Sequence, residues 1–270
     1  MQTVDTLVQM CGLPRLEARM LIEHVLRQPR AWLLAHGTDA LAPEPVTTVL
    51  SLAASRRQGV PMAYLVGHRE FMGHRFTVSP DVLIPRPETE LLVDVALTAV
   101  ATRSAPAMLD LGTGSGAVAI SLALARPDAR VVATDLSVAA LTVAQGNAQA
   151  LGARVQWWHG SWYEALPSEG RFDLIASNPP YIHMDDAHLQ QGDLRFEPAS
   201  ALTDGADGLT ALRQIIAGAC AHLNTCGQLW LEHGYDQAEP VRQMLVQAGF
   251  AVVRTEVDLA GLPRVTGGSL

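Results

Sequence analysis

Apolar positions along this 270-residue chain recur with two different periods, and the change of period divides it. From Val4 to Arg57 the spacing is helical. Leu16, Met20, Leu21, His24 and Val25 fall on one face, and Val46, Val49, Leu50 and Ala53 on another, with Gly and Pro between the segments. A small helical bundle is predicted there. Pro61, Gly67, Gly73, Pro80, Pro85 and Pro87 then interrupt the pattern, and the alternation of Phe76 with Val78, followed by Val82 and Ile84, predicts a short linking hairpin. Farther on, helical and strand patterns alternate. Strands are predicted at 107–110, 130–134, 154–158, 172–177, 227–232 and 250–256. Helices are predicted near 89–101, 117–125, 137–150, 208–223 and 237–248, with Ser137 and Asp207 as N-caps. That order predicts an α/β domain with a mostly parallel sheet covered on both faces. The expected division is 1–72 helical, 73–88 hairpin linker and 89–270 α/β.

Composition narrows the picture. Hydrophobic residues at 49% support a real core, and the formal charge of −8 is unevenly spread. Residues 1–75 hold eight Arg and six acids, net +2, whereas 76–270 hold eleven Arg and twenty-one acids, net −10, with no lysine anywhere. Phosphate binding favours clustered cations, so the acidic part is a poor surface for nucleic acid. Cys11, Cys220 and Cys226 are odd in number and form no C-x-x-C pair, which predicts buried free thiols of a reducing cytosol. The N-terminus has Asp5 early and no basic segment followed by an apolar run, so no secretory signal is expected, and no stretch approaches the ~18 apolar residues of a membrane span. A cytoplasmic protein without a membrane partner is expected. His183, His188 and His233 lack metal-ligand spacing, so no metal site is predicted.

The candidate chemistry sits at predicted strand ends. Residues 108–116 read Met-Leu-Asp-Leu-Gly-Thr-Gly-Ser-Gly, a strand running into Gly112, Thr113, Gly114, Ser115 and Gly116 ahead of a helix. Glycines there let backbone come close to a ligand. The next strand ends in Asp135, nineteen residues after Gly116, where a carboxylate can accept both hydroxyls of a ribose. The fourth strand runs into Asn178-Pro179-Pro180-Tyr181. Two prolines stiffen the turn and remove two donors, so the Asn178 side-chain carbonyl and the Pro179 backbone carbonyl can grip both hydrogens of a planar –NH2 group. Taken alone, the tetrad is equally an ordinary Asx-Pro turn. Three such turns at successive strand ends favour a common site. Tyr181 either packs on the substrate plane or walls the pocket, and Trp162 after the third strand either meets a ligand ring or is a half-buried indole.

With these motifs the chain resembles the class I S-adenosylmethionine-dependent methyltransferases, and within them the peptide chain release factor N5-glutamine methyltransferases. Further matching segments are Ile84-Pro85-Arg86-Pro87-Glu88-Thr89-Glu90, Ser161-Trp162, the run from His188 to Pro198, Leu231-Glu232-His233-Gly234 and Arg264-Val265-Thr266, so the resemblance spans nearly the whole chain. It implies a Rossmann-like domain with a seven-stranded sheet and an N-terminal domain that docks the release factor. It implies S-adenosyl-L-methionine as cofactor, held by residues 112–116, Asp135, Trp162 and Asn178. Its substrate is implied to be the glutamine of the Gly-Gly-Gln motif in class I release factors, gripped by residues 178–181. Asn178, Pro179 and Tyr181 are the implied catalytic residues. One departure stands out: many relatives carry Asp before the Trp to accept the adenine amino group, and this chain has Ser161.

Two other functions fit parts of the pattern. A nucleic-acid amino methyltransferase acting on adenine N6 or guanine N2 would use the same grip, although the charge opposes it. A non-catalytic S-adenosylmethionine-binding interaction protein would keep the glycines without needing the tetrad. The polar loop 183–198 suits a lid or a docking surface.

Overall fold

The computed structural model describes residues 2–167 and 170–270. The chain forms two compact units, residues 1–68 and 69–270. The first holds α1 (Val4–Met10), α2 (Arg15–Leu26), α3 (Arg30–Ala35), α4 (Pro43–Arg57) and α5 (Met62–Val66). Thr3 opens α1 with a capping box shared with Thr6. Leu7, Leu21, Ile22, Leu33, Val49 and Ala53 fill the core. The inward stripe of α2 differs from the expected one: Ala18, Leu21 and Ile22 are buried, whereas Leu16 and Met20 are exposed. Both stripes have helical spacing, so periodicity cannot choose between them, and packing of α2 on α4 does. An ion pair between Arg56 and Glu17, 2.9 Å at each of two contacts, ties these helices.

The hairpin comes earlier than the predicted 73–88. It pairs β1 (His68–Phe71) with β2 (His74–Thr77). Its turn requires positive φ at both central residues, which Met72 (49°) and Gly73 (71°) supply. Residues 78–88 form no strand, yet Val78, Val82 and Ile84 are buried. The α/β succession follows: α6 (Thr89–Ala99), β3 (Ala107–Leu111), α7 (Ala117–Ala125), β4 (Arg130–Asp135), α8 (Val138–Leu151), β5 (Val155–His159) and β6 (Phe172–Ser177). After two 3₁₀ turns come α9 (Ala199–Leu202), α10 (Thr210–His222), β7 (Leu223–Glu232), α11 (Ala238–Gln247), β8 (Ala251–Val257) and β9 (Pro263–Ser269).

Seven strands make one sheet in the order β5-β4-β3-β6-β7-β9-β8. Six run in one direction, β5 to β7 pairing in parallel, and β9 runs antiparallel to its neighbours β7 and β8. Alternate residues of the central strands serve opposite faces. Met108, Ala133 and Leu174 pack with α6 and α7, whereas Leu109, Val132 and Ile175 pack with α10 and α11. The resemblance implied seven strands, but the apolar pattern marks only six. The seventh, Pro-Arg-Val-Thr-Gly-Gly-Ser, has a single aliphatic side chain, Val265.

Two smaller expectations change. Gly208 has φ 74°, so α10 begins at Thr210; its first amides are received by Asp204, which bonds Thr210 N at 2.7 Å, and by Asp207, which bonds Leu209 N at 3.0 Å. Of the three thiols, only Cys11 is buried, and Cys226 is exposed in the irregular start of β7.

Gly267 on β9 lies against the β7 backbone, where a Cβ would overlap the Leu229 carbonyl oxygen and the Trp230 ring. Backbone cannot yield as a flexible side chain does. Gly267→Ala is therefore expected to destabilise the protein by about 1–3 kcal/mol, read as a lower urea midpoint at unchanged slope.

Candidate active site

The register of the parallel strands brings the candidate residues together. Leu111, the last residue of β3, pairs with Thr134 of β4 on one side and Ser177 of β6 on the other. The next residues of the three strands are Gly112, Asp135 and Asn178. They leave the sheet side by side at its carboxyl edge, where the chain turns from β3 to opposite sides. Cross-strand bonds fix the level: Gly112 N and Thr113 N donate to Thr134 O at 2.9 and 3.0 Å, and Ser177 Oγ donates to Leu111 O at 2.6 Å.

A cavity of about 440 Å³ opens above this edge. Gly112, Thr113, Gly114, Ser115, Asp135, Trp162, Asn178 and Pro180 all line it. Gly114 has φ 56°, and a Cβ there would meet no atom within 4 Å, so its backbone faces open space. Gly116 serves packing instead: a Cβ would press on Ile120 and Ala144. Asp135 braces the loop, its Oδ2 accepting from Gly114 N and its Oδ1 from Ser137 N, both at 2.8 Å. Each carboxylate oxygen keeps a lone pair for a ligand. Burial raises its pKa and these amide bonds oppose the rise. Trp162 has φ 43°, an uncommon conformation for a bulky residue. Its ring lies over Gly112 and its indole nitrogen donates to Gln214 at 2.9 Å. Ser161 is also in the wall.

Within the tetrad, Pro179 is buried, and Tyr181 lines a second cavity with Arg86, Glu88, Glu232 and Arg264. Asn178 Nδ2 donates to Thr89 Oγ1 at 3.1 Å, and the Tyr181 hydroxyl to Glu232 Oε1 at 3.2 Å. Burial, then the Glu232 charge, holds the Tyr181 phenol well above its usual range. Glu232 is itself pushed up to about 7 by burial, against the nearby Thr89 and Tyr181 hydroxyls and the Arg264 charge; among the described residues only the Tyr181 hydroxyl bonds its carboxylate, and Oε2 has no hydrogen-bond partner. Its neighbour His233 is held neutral by burial and bonds Thr266 Oγ1 at 2.7 Å. Loop 183–198 is secured at its far end by Glu197, which accepts from Ile84 N at 3.0 Å and pairs with Arg86.

Sequence reasoning missed Thr89, Asp110 and Glu232 as parts of the site. Asp110 looked like one polar residue within a strand, and its place immediately before the Gly loop was the available signal. It is 1% exposed, and its Oδ2 accepts from Thr113 Oγ1 at 2.6 Å and Ala119 N at 3.1 Å. Thr113 thus turns its hydroxyl inward, stitching the loop to β3 and α7.

Burial pushes Asp110 up to about 7, and the two hydrogen bonds only partly oppose it. A folded-state pKa raised above the unfolded carboxyl value of about 4 contributes stability that is full below pH 4 and lost as pH rises through about 7. In Asp110→Asn the amide oxygen still accepts both bonds and nothing ionises. Melting temperature should therefore fall less steeply between about pH 5 and pH 8 in the variant than in the parent, and equal slopes would remove Asp110 as the source.

Comparison with known proteins converges on one group. The methyltransferase small domain family matches residues 88–202, and the PrmC N-terminal domain family matches residues 2–67. The release factor glutamine methyltransferase of Bordetella pertussis is 61% identical over 259 residues, 96% of each chain. That of Burkholderia pseudomallei is 50% identical over 274 residues, 99% of this chain and 96% of its own. Among solved structures, the Thermus thermophilus 16S rRNA N2 G1207 methyltransferase, in complex with AdoMet and guanosine, superposes with a TM-score of 0.55. It has 23% identity and covers 75% of this chain and 49% of its own. The human Mettl16 catalytic domain gives 0.57 at 13% identity, over 84% and 82% of the two chains, so both likenesses concern the fold. On sequence identity along nearly its full length, the chain belongs to the release factor glutamine methyltransferase family.

Proposed function

We propose that this protein transfers a methyl group from S-adenosyl-L-methionine to N5 of a glutamine side chain, the one in the Gly-Gly-Gln motif of class I peptide chain release factors. The observation that carries the reading is the convergence of Gly114, Asp135 and Asn178 on one cavity in a chain of this family. The residues suit the methyl donor. Open backbone at Gly114 admits it, Asp135 keeps two acceptor positions for the ribose, and the Trp162 ring offers a face for the adenine. Gly112, Thr113, Ser115 and Gly116 shape that cradle. When bound, the cofactor supplies an electrophilic methyl carbon on a sulfonium.

The chain's own task is orientation. An amide nitrogen is a poor nucleophile because its lone pair is delocalised into the carbonyl. Asn178 Oδ1 and the Pro179 carbonyl accept the two amide hydrogens, with Tyr181 beside the plane and Pro180 keeping the turn stiff, which aims the lone pair out of the plane. No base is needed before transfer. The N-methylated, cationic amide is strongly acidic and sheds its proton afterwards.

The N-terminal helical domain, with the 183–198 loop, docks the release factor in this reading. Translation factors place the work in the cytoplasm; among the described residues no helix is long and apolar enough to cross a membrane. The net −10 of residues 76–270 supports a protein rather than a nucleic acid as substrate.

Mass spectrometry of a release factor incubated with enzyme and cofactor should find one added methyl on the Gly-Gly-Gln glutamine, while duplex DNA and ribosomal RNA gain none. Methylated nucleic acid with an untouched release factor would promote the nucleic-acid reading, and no methylation of either would leave a binding protein. Asn178→Ala should slow single-turnover methylation about 10²–10³-fold. A wild-type rate would reduce the tetrad to a rigid turn.

Asp135→Ala should weaken cofactor binding by about 1.5–3 kcal/mol, measured by titration calorimetry. Because Asp135 also braces Gly114 and Ser137, the melting temperature is recorded alongside; unchanged affinity in a folded variant would exclude Asp135 as ribose ligand.

A further inference from the structure

One wall of the cofactor cavity belongs to no regular element. Pro80, Asp81, Val82, Leu83 and Pro85 line it, all within the segment 78–88 that forms no strand. Such a segment has no ladder of its own to hold it. Its far end is pinned by Glu197, which accepts from Ile84 N at 3.0 Å. Its near end is pinned by Asn147 of α8.

The Asn147 side chain, 1% exposed, meets backbone groups of two segments remote from it in sequence. Its Oδ1 accepts from Thr77 N at 2.7 Å, and its Nδ2 donates to Thr77 O at 3.0 Å and to Ser115 O at 2.9 Å. Thr77 ends β2, so the amide stands in for a strand partner, taking and giving a hydrogen bond at one residue. Ser115 belongs to the glycine loop and lines the same cavity. Its carbonyl is left for Asn147 because Ala119 N, the amide a helix would offer it, donates instead to Asp110 Oδ2 at 3.1 Å. The amide cannot be turned over, since its –NH2 would then face the Thr77 N–H and its oxygen would face two carbonyls. One planar group thus sets the start of the 80–85 wall relative to the glycine loop. The loop has further support from α8, because Gly116 packs on Ala144. That packing survives loss of the Asn147 amide, so the wall is the part released.

We propose that Asn147 is a positioning residue for the cofactor, holding the 80–85 wall against the glycine loop so that the cavity is shaped for S-adenosyl-L-methionine before it binds. This rests on the reading of the cavity as the cofactor site. Asn147 does not line the cavity; it acts through Thr77 and Ser115. A released wall must be ordered on binding, and the entropy of ordering is subtracted from affinity.

Titration calorimetry of the full-length protein with S-adenosyl-L-methionine, below the melting transition of every variant, is the test. Asn147→Leu keeps the volume and removes all three bonds, and should raise the cofactor Kd about 10-fold or more. Single-turnover methylation of a release factor at saturating cofactor should stay within about three-fold of wild type, because the complex once formed is the same. Hydrogen exchange of the backbone amides from Thr77 to Ile84 should quicken in the free variant and return to the wild-type rate with cofactor bound. Gly267→Ala, which presses on β7 rather than on this wall, is the control for lost stability and should leave Kd within about two-fold. Should Asn147→Leu fold poorly, Asn147→Ala replaces it with the same expectation. An unchanged Kd in a folded Asn147 variant, or a rise of the same size in Gly267→Ala, overturns the proposal, the second by reducing Asn147 to general stability. A wild-type protein that binds no S-adenosyl-L-methionine would instead refute the cofactor reading of the cavity.

Discussion

The hydrogen-bonded register of β3 with β4 and β6 is the constraint on which the rest of the site depends. With Leu111 paired to both Thr134 and Ser177, the glycine loop, Asp135 and Asn178 emerge at one level from three adjacent strands. A slip by one residue would turn each side chain to the opposite face of the sheet. Such a slip is opposed by the core, because Leu109, Val132 and Ile175 would exchange faces with Met108, Ala133 and Leu174. Hydrophobic burial on two faces thus fixes the position of polar groups at the edge. Asp135 then transmits the position of β4 to the β3 loop through its bonds to Gly114 and Ser137.

Around that edge the fold buries three carboxyl groups, Asp110, Glu197 and Glu232, each costly unless it is hydrogen-bonded. Each binds segments distant in sequence. Asp110 joins β3 to the glycine loop and the start of α7, and Glu197 joins the loop after the tetrad to the segment before α6. Glu232 joins the end of β7 to Tyr181. Asn147 works similarly as a neutral group, bonding Thr77 on the hairpin and Ser115 O in the glycine loop. These bonds hold turns that have little regular structure of their own. The segment 183–196 between Tyr181 and Glu197, by contrast, is largely exposed, which suits a surface that meets another molecule.

Much of this was legible in the chain itself. Apolar runs of strand length, each ending in Gly, Asp or Asn-Pro, located β3, β4 and β6 and placed their chemistry at the carboxyl ends, since a parallel sheet gathers those ends at one edge. Periodicity also found α4 and its buried face, Val46, Val49 and Ala53. It failed for α2, where two stripes share helical spacing, and for β9, whose Gly267 and Gly268 carry no hydrophobic signal but fit beneath Trp230 and Phe250. Neither failure concerns local propensity. Both were settled by the neighbour the element packs against.

By itself, then, the sequence determined the kind of fold, the order of its elements and the strand ends at which ligand-binding groups stand, because backbone preference and hydrophobic period are properties of short segments. Only the tertiary structure decided which polar groups meet across the site. Thr89 and Asn178 lie 89 residues apart, and Tyr181 and Glu232 lie 51 apart. Nothing in the local pattern of either partner marks the other, because a side-chain hydrogen bond is specified by distance and direction, which the packed sheet and helices alone provide.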